Sequence, residues 1–563
     1  KVGNYYLLEN SKTTGVIIEC GFLSSSSDRK KLMNDSYLKH LASLIKKGIN
    51  EYLLIPFYKI IGEKGGTLYG YAYNIYNVFL IISAAGIPLA ISKLTSEYNT
   101  LNMQDKKIRM YNIATKLIFL FSVVSFLICF IFAPQLANLI IGNLEGGNTL
   151  KDVTFVIRII SFALLIVPFL SIERGYLQGH RYIKEPSISQ VIEQVVRIAV
   201  IIIGSYLCTY VFKLHIRFSV GISVFAACIA GIATYIYLHI VTKKNKQEIG
   251  FDTKIKTSKE EDKEIVKKLI FYSIPFVIIS LTNTIYTSTD MILILRTLPN
   301  LGFSAVDTEF ISSVFTTWGV KFTTIITAIP SGLIISLIPN MVKDYTEKNM
   351  VAVNSNFNKC LKIILLIIAP LAIFLSGMSI SMWNIFYGAN NYGPSIIKYT
   401  IIVTIVDCLY IVLNSLLQSL NKPKVIYTSV ITGTLINLML DIPLMHLFHK
   451  LNLPAYYGAI TATLIGTTIS NLISLIYLKK TIKLNYQETY KSIPRFIIST
   501  IILIIMLNIF NKVLPVNNSN RLIEILNLAI SGIVCGGIYL LINFKHIKVL
   551  LPERLAKKLK IIK

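Results

Sequence analysis

Asn437 and Asp441, in the apolar stretch LINLMLDIPL, are four residues apart, so a helix there presents an amide oxygen and a carboxylate on one face. Asp290 lies in a second apolar stretch, TSTDMILIL, and Thr463 in a third, AITATLIG, where Ala459 one turn earlier can lend a carbonyl. These are hard oxygen donors, and together they suit a small cation. Ionisable groups inside apolar spans are costly, which makes them functional candidates by default. The plainer alternative is that Asp441 only caps a helix broken by Pro443.

The elements that must hold these residues are written in the composition. The 563 residues are 53% hydrophobic and only 15% charged, where a soluble domain carries about 25% charged residues. Apolar runs long enough to cross a bilayer recur from residue 67 to residue 546. Thirteen spans are expected, near 67–93, 110–135, 152–172, 186–212, 217–241, 266–295, 309–340, 357–386, 396–420, 426–448, 455–479, 493–512 and 522–545. The net charge of +27 falls between these runs, where a topology signal belongs, rather than on a folded basic surface, so nucleic acid is excluded as a partner. Seven cysteines (Cys20, Cys129, Cys208, Cys228, Cys360, Cys408 and Cys535) form no CxxC pair and indicate neither a metal site nor a disulfide framework.

The connections alternate in charge. Those at 104–109, 173–184, 243–268, 343–362, 421–424 and 479–495 are basic, and the first of these with a long sequence of its own, 243–268, holds nine lysines. Those at 136–151, 213–216, 296–308, 388–395, 449–454 and 513–521 carry few basic residues. The positive-inside rule makes the basic set and the C-terminus cytoplasmic, and residue 67 external. The stub LLIPFYKIIG (53–62) is too short to cross alone, and the stretch before it carries Lys46, Lys47 and Glu51. One span is therefore expected to have been lost before residue 67. The chain begins with Lys1, so its true N-terminus is expected to be missing.

Three echoes indicate an internal repeat. AGIPLAISKL (85–94) recurs as TAIPSGLIISL (327–337), YLQGHRYIKEP (176–186) as LLQSLNKPK (416–424), and VGISVFAACIAG (220–231) as YGAITATLIG (457–466). The offsets are 242 residues from Pro88 to Pro330, 240 from Gln178 to Gln418 and 237 from Gly221 to Gly458. Such a repeat implies two similar bundles related by an axis along the membrane normal, the build of a rocking transporter with its site between the halves.

GTLYGYAYNIYNVFLIISAAGIPLAISKLTSEYN (66–99), ERGYLQGHRYIKEPSISQVIEQVVRI (173–198) and YYGAITATLIGTTISNL (456–472) resemble the polysaccharide-transport branch of the multidrug/oligosaccharidyl-lipid/polysaccharide exporter superfamily, in particular its lipid II flippases and stage V sporulation protein B-like members. The resemblance spans about residues 54–550. It implies fourteen helices, as two six-helix lobes and two extra helices. It also implies a sodium site at Asp290, Asn437, Asp441, Ala459 and Thr463. Where the family carries an Arg-Ile-Pro segment before IIG, this chain has Leu54 in place of the arginine.

The family holds a pyrophosphate-linked lipid in a cationic cavity, which suits arginine forks and lysine point charges. The candidates are Lys93, Lys116, Arg158, Arg197 and Lys321, the last well within a span before the Ile329-Pro330 break. Arg197 has a bland alternative, an i,i+4 pair with Glu193, and Lys93 and Lys116 can simply snorkel to the interface. ERGYLQGHRYIKEP (173–186) reads as a cytoplasmic hinge loop or an ordinary basic turn.

Residues 4–53 resemble something else, the C-terminal end of a zinc-dependent N-acetylmuramoyl-L-alanine amidase, in which Glu19 takes the place of the catalytic carboxylate. The family's zinc ligands, two histidines and a glutamate, lie upstream of such a piece. His40 alone cannot replace them, so zinc is expected to be absent and the piece inactive.

The expected organisation is an all-α integral membrane protein with a small α/β remnant in front. Residues 1–53 form the amidase fragment, 54–242 a first lobe lacking its first helix, and 243–265 a cytoplasmic loop. Residues 266–480 form a second lobe, and 481–563 two extra helices with a basic tail. The expected function is export of an undecaprenyl-pyrophosphate-linked cell-wall precursor, lipid II or a related intermediate, by alternating access in a bacterial cell membrane. The transporter is expected to be a monomer, in contact with the bilayer and a lipid-linked oligosaccharide, with no cofactor and with sodium as candidate coupling ion. The N-terminal piece is placed outside. The alternatives are a cation-coupled drug exporter of the same fold and a remnant cell-wall amidase.

Overall fold

The computed structural model describes residues 35–550 except 85, 143–146, 181, 183, 246–258, 337, 421 and 514–520. Residues 1–34 of the expected α/β remnant lie outside the described residues, Glu19 among them, and residues 35–53 are helical. Helices α1 (Asp35–Ala84), α2 (Ile87–Thr100), α3 (Gln104–Ile131), α4 (Leu150–Gly179), α5 (Lys184–Val211) and α6 (Ile216–Lys244) build the first half. Then follow α7 (Lys259–Thr297), α8 (residues 305–336), α9 (Met350–Gly377), α10 (Gly393–Ser419), α11 (Pro423–Lys450) and α12 (Tyr456–Thr481), and last α13 (Gln487–Val513) and α14 (Arg521–Leu550). No strand occurs among the described residues.

Ten of these helices, α3–α6 and α9–α14, are long and apolar enough to cross a membrane, and each coincides with an expected span. The other three expected spans fall on α1 with α2, on α7 and on α8. Side chains such as Phe271, Ile533 and Leu541 point outward and are 70%, 75% and 77% exposed, which suits a hydrocarbon surround and not water. The chain is helical straight through residue 53, and the first break in α1 comes at Gly62, whose φ of 65° lies in the left-handed region that glycine enters without penalty.

The expected hinge loop at 173–184 is helical as far as Gly179. Its glycines serve packing and not turning. A Cβ on Gly175 would lie 2.5 Å from the Pro88 carbonyl oxygen, and one on Gly179 would lie 2.5 Å from Thr95 Cβ. The pair, one turn apart, lets the α2 backbone approach α4, as small residues do between membrane helices. Arg174 turns away to donate to Ser189 Oγ at 2.9 Å and Glu193 Oε2 at 2.8 Å on α5.

The second half has a reciprocal crossing. A Cβ on Gly433 of α11 would lie 2.6 Å from the Gly466 carbonyl oxygen of α12, and a Cβ on Gly466 would lie 2.6 Å from that of Gly433. Three turns further along α11, a Cβ on Gly458 would lie 2.5 Å from the carbonyl carbon of Leu444. Between these points α11 and α12 run backbone against backbone, and Ser470 Oγ donates to the Ser429 carbonyl at 2.7 Å.

The two halves meet near both ends of the bundle. At the end expected outside, the Asn148 backbone N–H donates to Glu309 Oε1 at 2.8 Å and its side-chain amide to Oε2 at 3.0 Å. Thr67 Oγ1 donates to the Glu309 carbonyl at 3.3 Å, and the rings of Tyr58 and Trp318 meet edge-on with centroids 4.8 Å apart. At the other end Arg109 of α3, buried, donates to Asp262 from Nε at 3.2 Å and Nη2 at 2.6 Å and also pairs with Glu261, both on α7.

Gly433→Val should force α11 from α12 and cost about 1–3 kcal/mol, as overpacking does, whereas Gly536→Ala, where nothing lies within 4 Å, should be neutral. Thermal unfolding of the purified variants in detergent measures the difference.

Candidate functional site

The glycine crossing sets the position of every oxygen in the cluster. Asn437 follows Gly433 by one turn on α11, and Thr463 precedes Gly466 by nearly one turn on α12. Tyr286 of α7 is seated on the crossing, its hydroxyl 2.8 Å from where a Gly433 Cβ would stand, and Asp290 is one turn further along α7. The three side chains therefore converge. Asn437 Nδ2 donates to Asp290 Oδ1 at 3.3 Å and to Thr463 Oγ1 at 3.2 Å, and Thr463 Oγ1 donates to Asp290 Oδ2 at 3.0 Å.

Asp441 lies one turn beyond Asn437 and interacts electrostatically with Asp290. It is fully buried, and its carboxylate oxygens have no hydrogen-bond partner other than the Asp290 carboxyl group. The helix continues through Pro443 to Lys450, so Asp441 caps nothing. Asn437 Oδ1 is also fully buried and without a donor. Ala459, fully buried, stands one turn before Thr463 on α12. Buried unpaired acceptors are costly, and three of them beside a second carboxylate form a site that a small cation fits by charge and by donor type. Among the described residues no group of three or more His, Cys, Asp or Glu side chains could hold a metal ion.

The five candidate phosphate cations fall into different settings. Arg197 is mostly buried on α5 and donates to Glu193 Oε1 at 2.5 Å, so its i,i+4 pairing is present. Glu193 holds Arg174 with its other oxygen, which leaves two guanidinium groups on one carboxylate. Arg197 Nε is buried with no acceptor, and Tyr69, Tyr73 and Tyr76 surround the group. Lys321 is half-buried on α8. Lys93, Lys116 and Arg158 are exposed. Lys93 Nζ stands 3.9 Å over the Tyr272 ring and Arg158 5.5 Å over that of Phe130, cation–π contacts suited to an interface.

Asp407, which the sequence reading passed over, is also in the membrane-spanning part. It lies on α10 and lines a cavity of about 160 Å³ together with Asp290 and Thr463. A signal for it exists, because Thr400, Thr404 and Asp407 are spaced by four and three residues, one polar stripe on an apolar helix.

Residues 34–341, more than half of the chain, match the model of the polysaccharide biosynthesis protein family. The chain belongs to that family. Residues 1–51 match the N-acetylmuramoyl-L-alanine amidase family. The lipid II flippase MurJ of Bacillus subtilis (strain 168) is 28% identical over 92% of this chain and 95% of its own length. Stage V sporulation protein B of the same organism is 22% identical over 64% of this chain and 68% of its own. The fold is shared with a lipid II flippase MurJ solved in an inward closed conformation (TM-score 0.59, 15% identity, 89% of this chain and 98% of that one). It is shared as well with an inward-facing multidrug resistance MATE family transporter (TM-score 0.61, 12% identity, 78% of this chain and 94% of that one). The chain is thus a multi-pass membrane protein with a transporter fold.

Glu193→Gln should leave Arg174 and Arg197 buried without a counter-charge and cost about 3–5 kcal/mol. Thermal unfolding of the variant measures this, and the double change with Arg174→Met should recover part of the loss.

Proposed function

We propose that the chain moves an undecaprenyl-pyrophosphate-linked cell-wall precursor, with lipid II the favoured substrate, from the cytoplasmic to the outer face of a bacterial membrane by alternating access. The likeness to the Bacillus subtilis lipid II flippase over 92% of the chain carries this reading. The positive-inside distribution orients it, with the C-terminus in the cytoplasm and residue 67 outside.

Alternating access requires a seal at each end that can open while the other holds. The Asn148–Glu309 hydrogen bonds are the seal on the outer side, and the Arg109 pairs with Glu261 and Asp262 are the seal on the cytoplasmic side. Neither is an all-apolar contact, so each exchanges for water and salt at modest net cost when it opens. Arg197 is the residue best placed to meet the pyrophosphate, because its Nε still lacks an acceptor after Glu193 is satisfied. Lys321 supplies a second charge from the opposite half.

Asp290, Asn437, Asp441, Ala459 and Thr463 would hold the coupling sodium, which on binding would supply the positive charge that Asp441 lacks. Without that charge the carboxylates of Asp290 and Asp441 repel across the α7–α11 contact, and α7 begins at the cytoplasmic seal. The cluster thus ties cation binding to the helix that carries Glu261 and Asp262.

In proteoliposomes, lipid II added to one leaflet should become accessible from the other, and faster in a sodium gradient. Asp441→Asn should keep translocation but lose its sodium dependence. Sodium-driven export of a cationic dye with no movement of lipid II would replace this reading with that of a drug exporter, and sodium dependence unchanged in Asp441→Asn would remove the cation site.

A further inference from the structure

At the end of the bundle expected outside, the short helical segment Ala133–Ile141, which follows α3, meets the end of α7. Arg296, in the last turn of α7, donates from Nη2 to the Leu139 carbonyl at 2.9 Å, and Asn300 Nδ2 donates to the Arg296 carbonyl at 3.1 Å. A pocket of about 410 Å³ opens here, and its lining is divided. Ile141 and Leu295, both buried, give it an apolar floor, while Asn138, Arg296 and Asn300 are exposed at its rim.

Arg296 has donors to spare. Its bond to Leu139 satisfies one of the carbonyls that a helix end leaves open, and uses one of the five N–H donors of a guanidinium. Arg109, Arg174, Arg197 and Arg217 each stand against a carboxylate. Arg296 meets none among the described residues, and no residue lining the pocket is acidic. Asn138 and Asn300 add an amide from each half of the bundle. A planar fork flanked by amide donors suits a phosphate group.

The surroundings favour a phosphate carried on a lipid. Ile131, Phe132 and Leu139, on the same stretch of the first half, are large, apolar and exposed, so hydrocarbon lies against this flank. A free phosphate gains nothing from Ile141 and Leu295, whereas a lipid head group seated on Arg296 brings apolar carbons to that floor. We infer that Arg296, with Asn138 and Asn300, binds the phosphate of an anionic phospholipid from the leaflet at this end, and that the bound lipid spans both halves of the bundle. The inference goes beyond the transport reading, because this lipid is a resident of the membrane and not the cargo.

Photo-crosslinking in proteoliposomes tests it, with the full chain and a phosphatidylglycerol that carries a diazirine on its head group. Peptide mapping of wild type should find adducts on residues 133–142 and on 296–301. Excess phosphatidylglycerol should compete for both, phosphatidylcholine weakly and inorganic phosphate not at all. Arg296→Gln should lower both yields about tenfold, as loss of a charge-assisted pair does. Asn138→Leu with Asn300→Leu is a second route should that variant misfold, with melting temperature as the check on folding. No adducts on these segments in wild type, or yields unchanged in both folded variants, would overturn the site. Adducts on one segment alone would overturn the bridging, and competition by inorganic phosphate as strong as by phosphatidylglycerol would overturn the lipid.

Discussion

Everything at the candidate site depends on the close approach of α11 and α12 at Gly433 and Gly466. Two helix backbones can come that near only where neither bears a Cβ, and the carbonyl of each glycine occupies the space the other leaves. The consequence is geometric. Asn437 and Thr463, each about one turn from the contact, come within hydrogen-bonding distance of each other, and Tyr286 uses the same notch to bring Asp290 of α7 alongside. A larger residue at either glycine would separate donors that are held at 3.0–3.3 Å. The same device recurs in the first half, where Gly175 and Gly179 admit α2, but there it positions an interface and no cluster of buried acids.

The arrangement leaves electrostatic energy unspent. Asp441 and the Asn437 amide oxygen are buried without donors, while three other buried carboxylates are met. Glu173 accepts from Tyr111 at 2.6 Å and from Thr242 at 3.1 Å, Glu193 holds two arginines, and Glu309 holds Asn148. A carboxylate left open in a fold that pairs Glu173, Glu193 and Glu309 is poised for a ligand of opposite charge. Because α7 carries Asp290 in its middle and Glu261 and Asp262 at its start, charge at the cluster and closure at one end of the bundle share one rigid element.

Much of this was legible in the residues. The apolar runs marked the helices because, in lipid, the backbone must satisfy its own hydrogen bonds and so few alternatives exist. Asn437 with Asp441, and Glu193 with Arg197, are i,i+4 pairs whose proximity follows from helical geometry alone. The stretch at 173–184, expected as a hinge loop or a basic turn, is helical as far as Gly179, because glycine is ambiguous: it permits a turn, and equally it permits a neighbour. Asp407 was passed over because its meaning is tertiary. On α10 the stripe of Thr400, Thr404 and Asp407 is a weak signal, and only the packing of α7, α8 and α12 around it shows Asp290 across the same cavity. The convergence of Gly433 with Gly466 likewise depends on two helices crossing, and no spacing along the chain announces it.

The central claim, that the glycine crossing builds a cation site from Asp290, Asn437, Asp441 and Thr463, is most directly tested by anomalous diffraction from crystals of the protein soaked in thallium(I). The account predicts an anomalous peak within coordinating distance of the Asp441 carboxylate and Asn437 Oδ1, reduced by competing sodium. A map with no peak there, and Asp441 hydrogen-bonded to a protein donor instead, would contradict it.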